Sequence, residues 1–234
     1  MLTALALAGF GVTSCSSSNK PVGLAASSLT SVLGANTEIG GALNINMVFA
    51  GSPSLVAQLD AGVDAAVIIT ADETTMERAA TTGRLASAPV IVATNRLVLA
   101  AAPGNPAKIV GLEDLGRPEL LVGTCAPEVP CGAIAQRALA NTSIRLAADT
   151  EETSVRALAT KLSLGELDAG IVYASEAQSL GLSIVAAPEL DGFEAVYFAA
   201  AISSDHQQDG EELIALLRSA PSQVVLAEAG FGRP

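Results

Sequence analysis

Rings and positive charge are what this sequence has least of. Aromatic residues make up 3% of its 234 positions and tryptophan is absent, so no platform for stacking nucleobases can be assembled. Lysine and arginine total 12 against 24 aspartates and glutamates, a formal net charge of -12 that repels nucleic acid and anionic membrane surfaces. DNA and RNA are therefore poor partners, and no basic helix is available to read a groove. Histidine occurs once, as His206 in the polar run Ser203 to Asp209. A solvated histidine and the absence of a Gly-x-Ser-x-Gly elbow argue against a serine hydrolase. No metal cation and no cofactor are expected. The acidic pairs Glu151-Glu152 and Glu211-Glu212 read as solvated helix starts, where they favour the helix dipole.

Small and β-branched side chains are abundant instead. Half of the chain (50%) is apolar and 15% is charged, enough to bury a substantial core in one or two compact domains. Strand-length apolar runs fall at Val22 to Ala26, Ile45 to Phe49, Ala65 to Thr70, Val90 to Ala101, Leu120 to Gly123, Gly170 to Tyr173, Ser183 to Ala187 and Ala195 to Ile202. Helical patterns lie between them, at Ser54 to Asp60, Glu73 to Thr81, Gly132 to Ala140, Thr153 to Leu164, Asp209 to Arg218 and Ser222 to Ala229. The alternation predicts an α/β fold with mostly parallel sheets flanked by helices. Val90 to Ala101 and Ala195 to Ile202 are unusually long and read as crossovers between two lobes around a cleft. Lobe one would hold residues 22–95 plus 200–234, and lobe two residues 96–199. A single doubly wound domain would give the same periodicity.

The amino-terminal stretch Leu2 to Thr13 is apolar, too short to span a bilayer, and of signal-peptide length. Val12-Thr13-Ser14-Cys15 followed by Ser16-Ser17-Ser18-Asn19-Lys20 resembles a bacterial lipobox, which implies a signal segment over 1–15, an acylated Cys15 and a tether over 16–21. The alternative is a buried hydrophobic strand. The other two cysteines, Cys125 and Cys131, sit in a loop with two prolines and a glycine at each flank. In an exported chain such a pair reads as a disulfide rather than a redox or zinc motif, with two buried free thiols as the alternative.

Four segments place hydroxyls or amides where a strand hands over to a helix, the place where open α/β sheets bind ligands. They are Ala25-Ala26-Ser27-Ser28-Leu29-Thr30, Phe49-Ala50-Gly51-Ser52-Pro53-Ser54-Leu55, Glu128-Val129-Pro130-Cys131-Gly132-Ala133 and Glu151-Glu152-Thr153-Ser154-Val155-Arg156. Any one of them alone is more simply a helix cap. Together with Gly170-Ile171-Val172-Tyr173, they resemble in order and spacing the periplasmic molybdate-binding proteins of ABC transporters. That family's motifs look like AASLT, FAGSS, HVPAG, EDVR and GIVYGSDA. Ile69-Thr70-Ala71-Asp72 and Ala227-Glu228-Ala229-Gly230-Phe231 are similar to two further segments. The departures are Asp64-Ala65-Ala66 in place of Pro-Ala-Asp, Cys131 in place of alanine, and a short, glycine-rich stretch from Thr30 to Met47.

The resemblance implies a type II solute-binding fold that captures molybdate, and tungstate with it, outside the cytoplasm. The cargo would pass to ABC permease subunits. Ser28 and Ser52 would each offer a hydroxyl and an amide, Cys131 and Val155 backbone amides, and Tyr173 its hydroxyl. Molybdenum would be bound only as its oxyanion. Arg156 is expected at the surface or behind the ligands. The chain is expected to act as a monomer, held to the cell membrane through the lipid on Cys15. A pocket made only of donors suits anions that are fully deprotonated at neutral pH and leaves the proton of phosphate without an acceptor, a penalty of about 1 to 3 kcal/mol. The alternatives are a sulfate or organic-solute binder on the same scaffold, the effector domain of a regulator, and a serine hydrolase.

Overall fold

The apolar runs become strands and the periodic segments become helices in the order in which the sequence presents them. The structure is a computed structural model describing residues 20–140, 142–144, 146 and 148–234. The expected signal segment, Cys15 and tether residues 16–19 lie outside the described residues. β1 (Val22–Ala26) runs into a 3-10 turn (Ser27–Leu29) and two short helices, α1 (Thr30–Leu33) and α2 (Glu38–Ala42). β2 (Asn46–Ala50), α3 (Ser52–Asp60), β3 (Ala65–Thr70) and α4 (Glu73–Thr81) precede the long β4 (Val90–Ala101). β5 (Val122–Cys125), α5 (Pro130–Leu139), β6 (Thr150–Glu152) and α6 (Val155–Ser163) come next. β7 (Ala169–Tyr173), α7 (Ala174–Ser179), β8 (Ser183–Val185) and β9 (Glu194–Ala201) follow, and α8 (Gln207–Arg218) and α9 (Ala220–Glu228) come last.

The strands pair in the order β2-β1-β3-β9-β4-β7-β5-β6, with β8 added to β4. β1 is parallel to β2 and β3, and β5 is parallel to β6 and β7. All the antiparallel ladders involve β4 or β9. Each half of the sheet thus has a parallel set, as expected, and the antiparallel strands that join the halves make the whole sheet mixed. The reason is topological: a helical crossover returns the chain in the same direction, whereas β4 and β9 meet each other, and their neighbours, running in opposite directions. Within β4, residues up to Arg96 pair with β9, and from Leu97 onward they pair with β7.

Both faces of the sheet are covered, as the uninterrupted burial of β3 requires. Leu24 and Ile68 point to one side and meet Leu55, Leu59 and Met76 from α3 and α4. Their neighbours Ala25, Val67 and Ile69 point to the other side, into the larger core that continues through β4 and β7. Glu151 and Glu152 correct the sequence expectation: they lie on β6, not at a helix start. Glu152 is bonded there to Lys161 Nζ at 2.5 Å, which accounts for its placement without a metal.

Close packing of small residues sets the helix-to-sheet distance. In α8, a Cβ added to the buried Gly210 would lie 2.0 Å from the Ala66 carbonyl oxygen of β3. Gly210→Ala should therefore destabilise the protein by about 1 to 3 kcal/mol despite the better helix propensity of alanine, read as a lowered denaturation midpoint.

Candidate functional site

Parallel strands bring their carboxyl ends to one edge, and the registers show how level those ends are. Ala26 lies opposite Ala50, and Cys125 lies opposite Glu152. The helix starts that follow them meet around one small cavity. Ser28, Ser52, Cys131, Val155 and Tyr173 all line it, so the structure brings together the five residues singled out from the sequence. Ala26, Gly51, Ala71 and Pro130 fill the wall between them, and no lysine, arginine or carboxylate is among the lining residues.

Local sequence explains why these helix starts present amides. α3 and α5 begin at Gly51 and Val129 with no side-chain cap, and each carries a proline in its first turn. Proline costs nothing there, because the first turn has no intrahelical use for its N–H. α6 is capped by Ser154, whose hydroxyl accepts from Ala157 N and so leaves the amide of Val155 uncapped. Three helix N-termini therefore direct partial positive charge at the cavity. A disulfide joins Cys125, at the end of β5, to Cys131 in the first turn of α5, with the Cα atoms 5.9 Å apart. It fixes the start of that helix to the strand.

The hydroxyls are arranged as deliberately as the amides. Ser52 Oγ accepts the backbone N–H of Ala71 at 3.1 Å, so its own proton is left for the cavity. Ser28 Oγ lies 2.6 Å from the hydroxyl of Tyr197. Tyr173 is buried, and its hydroxyl has no hydrogen-bond partner among the described residues. Burial pushes this phenol well above its ordinary pKa, with Tyr197, Asp72 and Glu176 adding to the effect, so it remains a protonated donor. Gly51 closes one side: a Cβ there would sit 2.2 Å from the Thr153 carbonyl oxygen, so α3 and the loop before α6 approach as only glycine allows.

Other residues flagged by the sequence lie away from the cavity lining. His206 precedes α8 with Nδ1 3.5 Å from Asp209, and it does not reach either serine of the cavity. Arg156 does not line the cavity either; Nη1 donates to Glu176 Oε2 at 2.8 Å and to Ser179 Oγ at 3.0 Å. Sequence reasoning missed Asn95, Ser175, Glu176 and Tyr197, which are buried behind the lining. The signal for Asn95 was present: it is a buried carboxamide in the polar trio Thr94-Asn95-Arg96, midway along a strand whose other residues are apolar.

Comparison with known proteins shows the family and the fold. The profile of the family described as bacterial extracellular solute-binding protein matches residues 32–232. A molybdate-binding protein of Mycobacterium tuberculosis is 38% identical over 195 residues, covering 82% of this chain and 75% of that protein. The periplasmic molybdate-binding protein of Azotobacter vinelandii superposes with a TM-score of 0.72 at 18% identity, over 91% of this chain and 99% of that one. A sulfate-binding protein of Mycobacterium tuberculosis gives 0.66 at 17% identity, over 90% and 85%. At such identities the two structures show the fold.

Glu176 lies in the turn after Tyr173 with its side chain 1% exposed, and its Oε1 has no partner among the described residues. Burial pushes its carboxyl up to about 7, outweighing the downward pull of Arg156. The folded protein thus holds a proton that the unfolded chain releases near pH 4.5. This contribution to stability is complete below that pH and is lost as pH rises through about 7. Glu176→Gln, which cannot ionise, should flatten the pH dependence of unfolding between those limits, removing a slope worth on the order of 3 kcal/mol. Parallel stability curves for parent and variant from pH 4.5 to 8 would contradict the assignment.

Proposed function

Because the chain belongs to the bacterial extracellular solute-binding proteins, a family that binds and does not catalyse, we propose that it captures molybdate outside the cytoplasm and delivers it to an ABC importer. The observation that carries this reading is the cavity itself, where hydroxyls and helix-start amides meet with no formal charge and no acceptor side chain except hydroxyls already engaged or left as donors. Such a lining offers hydrogen bonds to all the oxygens of a tetrahedral dianion. Ser28 and Ser52 would bind through hydroxyl and amide, Cys131 and Val155 through their amides, and Tyr173 through its hydroxyl. The 38% identical mycobacterial relative, named as a molybdate-binding protein, supports molybdate as the cargo. Tungstate, nearly the same size and charge, should bind as well. Sulfate is the second reading: the donor set suits it equally, and a sulfate-binding protein shares the fold.

Residues 22–95 with 200–234 would form one lobe and residues 96–199 the other, closing about β4 and β9. Ser28 and Ser52 come from the first, and Cys131, Val155 and Tyr173 from the second, so each set gains its bonds only when the other approaches. The protein would work as a monomer tethered by a lipid on Cys15, a modification that the mass of the membrane-extracted protein would reveal.

Titration calorimetry with molybdate, tungstate, sulfate and phosphate tests the reading. Molybdate and tungstate should bind tightly, sulfate more weakly and phosphate least, and Ser52→Ala should weaken molybdate by roughly tenfold or more. Small-angle scattering of the same samples should show compaction on adding molybdate. A protein that ignores all four anions, or prefers phosphate, does not have the function proposed.

A further inference from the structure

Ser28 can serve a fully deprotonated anion only if its proton points into the cavity, and a serine hydroxyl by itself rotates freely. The residues behind it remove that freedom. The chain of hydrogen bonds starts from a group whose polarity is beyond choice, the backbone N–H of Ser175, which faces Asn95 Oδ1 at 3.4 Å. A main-chain N–H can only donate, so the oxygen of the Asn95 amide must be the atom that faces it. The amide nitrogen is thereby turned the other way. It donates to Ser175 Oγ at 2.7 Å and to the Tyr197 hydroxyl at 3.3 Å.

Tyr197 has one proton to place. With the Asn95 N–H already directed at its oxygen, that proton goes to Ser28 Oγ, 2.6 Å away. Ser28 then receives from Tyr197, and its own proton is left to face the cavity it lines. All four residues are buried, and the Tyr197 ring is held edge-on by Phe231 at a centroid distance of 5.6 Å. Ser52 reaches the same state by a shorter route, through the Ala71 N–H.

We infer that Asn95 and Tyr197 are positioning residues that determine specificity, holding Ser28 as an obligate donor so that the cavity accepts a fully deprotonated oxyanion and penalises one that carries a proton. The inference rests on the reading of this cavity as the anion site. It assigns to β4 and β9 a chemical role in addition to their place in the sheet. A protonated anion such as hydrogen phosphate would need Ser28 to accept, and Tyr197 already occupies that position. Removing the Tyr197 hydroxyl should therefore cost molybdate a well-aimed donor while relieving phosphate of part of its penalty.

A double-mutant cycle separates this role from a packing role. The parent, Tyr197→Phe, Ser28→Ala and the double variant are titrated with sodium molybdate and, in parallel, sodium phosphate at neutral pH. Tyr197→Phe keeps the ring against Phe231 and should weaken molybdate about tenfold while narrowing the molybdate-to-phosphate ratio. In the Ser28→Ala background the same substitution should change molybdate affinity less than about twofold, because the hydroxyl through which it acts is gone. Asn95→Leu, similar in shape but without donors, should narrow the ratio in the same way and lose its effect in the same background. Equal effects with and without the Ser28 hydroxyl, or an unchanged ratio in Tyr197→Phe, would overturn the inference. Failure of the parent to bind any oxyanion would instead remove the reading beneath it, and the parent titration alone shows which has failed.

Discussion

An anion taken out of water must be given its hydrogen bonds back, and in this protein no formal positive charge lines the cavity to help. Desolvating an ion costs several kcal/mol even after relaxation, so a cavity without a cation is favourable only when nearly all its polar groups donate inward. That requirement explains features that look unrelated when taken separately. The helices α3 and α5 lack side-chain caps because a capping oxygen would compete for the amides. Ser52 is engaged from behind by a backbone N–H. Tyr173 is buried with no partner for its hydroxyl among the described residues, which would be a costly defect in a core residue and fits the donor role proposed for it.

Donors become strong only when water is excluded, and exclusion depends on how closely the walls meet. Gly51 supplies that closeness against Thr153, and Gly132 does something similar where its missing Cβ would lie 2.2 Å from the Ala126 carbonyl oxygen. The second contact, together with the Cys125–Cys131 disulfide, holds the start of α5 against the end of β5. β4 and β9 then relate the two sets of parallel strands to each other. The change of partner along β4, from β9 at Arg96 to β7 at Leu97, occurs one residue beyond Asn95. The polar network behind the cavity is therefore built where the two halves of the sheet are joined.

How much of this could be read from the sequence depends on whether the signal was local. Strand-to-helix handovers are local: a small apolar run, a serine or glycine, then a helical period; four segments around the cavity stand out that way, while Tyr173, and the choice of Ser28, Ser52, Cys131 and Val155 within those segments, came from the resemblance to molybdate-binding proteins. β3 and α4 match their expected limits because Thr70 and Asp72 mark a sharp change from apolar run to cap. Short elements such as α2 and β6 carry too few residues for a period to show. The parallel sets were legible, but the antiparallel direction of β4 and β9 was not, because direction is a property of the connection and not of the strand. The relay from Asn95 to Ser28 was invisible for a different reason. Its members are 102 and 169 residues apart in sequence, and nothing in the neighbourhood of any one of them points to the others.

The net charge of -12 poses a last question, since it should disfavour any anion. Most of that charge is at the surface, where screening at physiological salt confines each group's field to roughly 8 Å. What matters is charge inside that radius and away from water: Asp72 and Glu176 both act on Tyr173, and of the two Glu176 is the buried one. It is buried close enough to raise the pKa of Tyr173, and a full negative charge at that position would oppose an incoming dianion. Two features of the structure reduce it. Arg156 pairs with one carboxylate oxygen at 2.8 Å, and burial raises the affinity of the carboxyl for a proton until it is partly neutral near pH 7. Arg156 can then contribute to the proposed anion site without touching an anion, by offsetting a buried charge that would repel it. The cavity is left to its hydroxyls and amides, whose dipoles act over a few ångströms and so respond to the shape and protonation of a single small ion rather than to the charge of the whole protein.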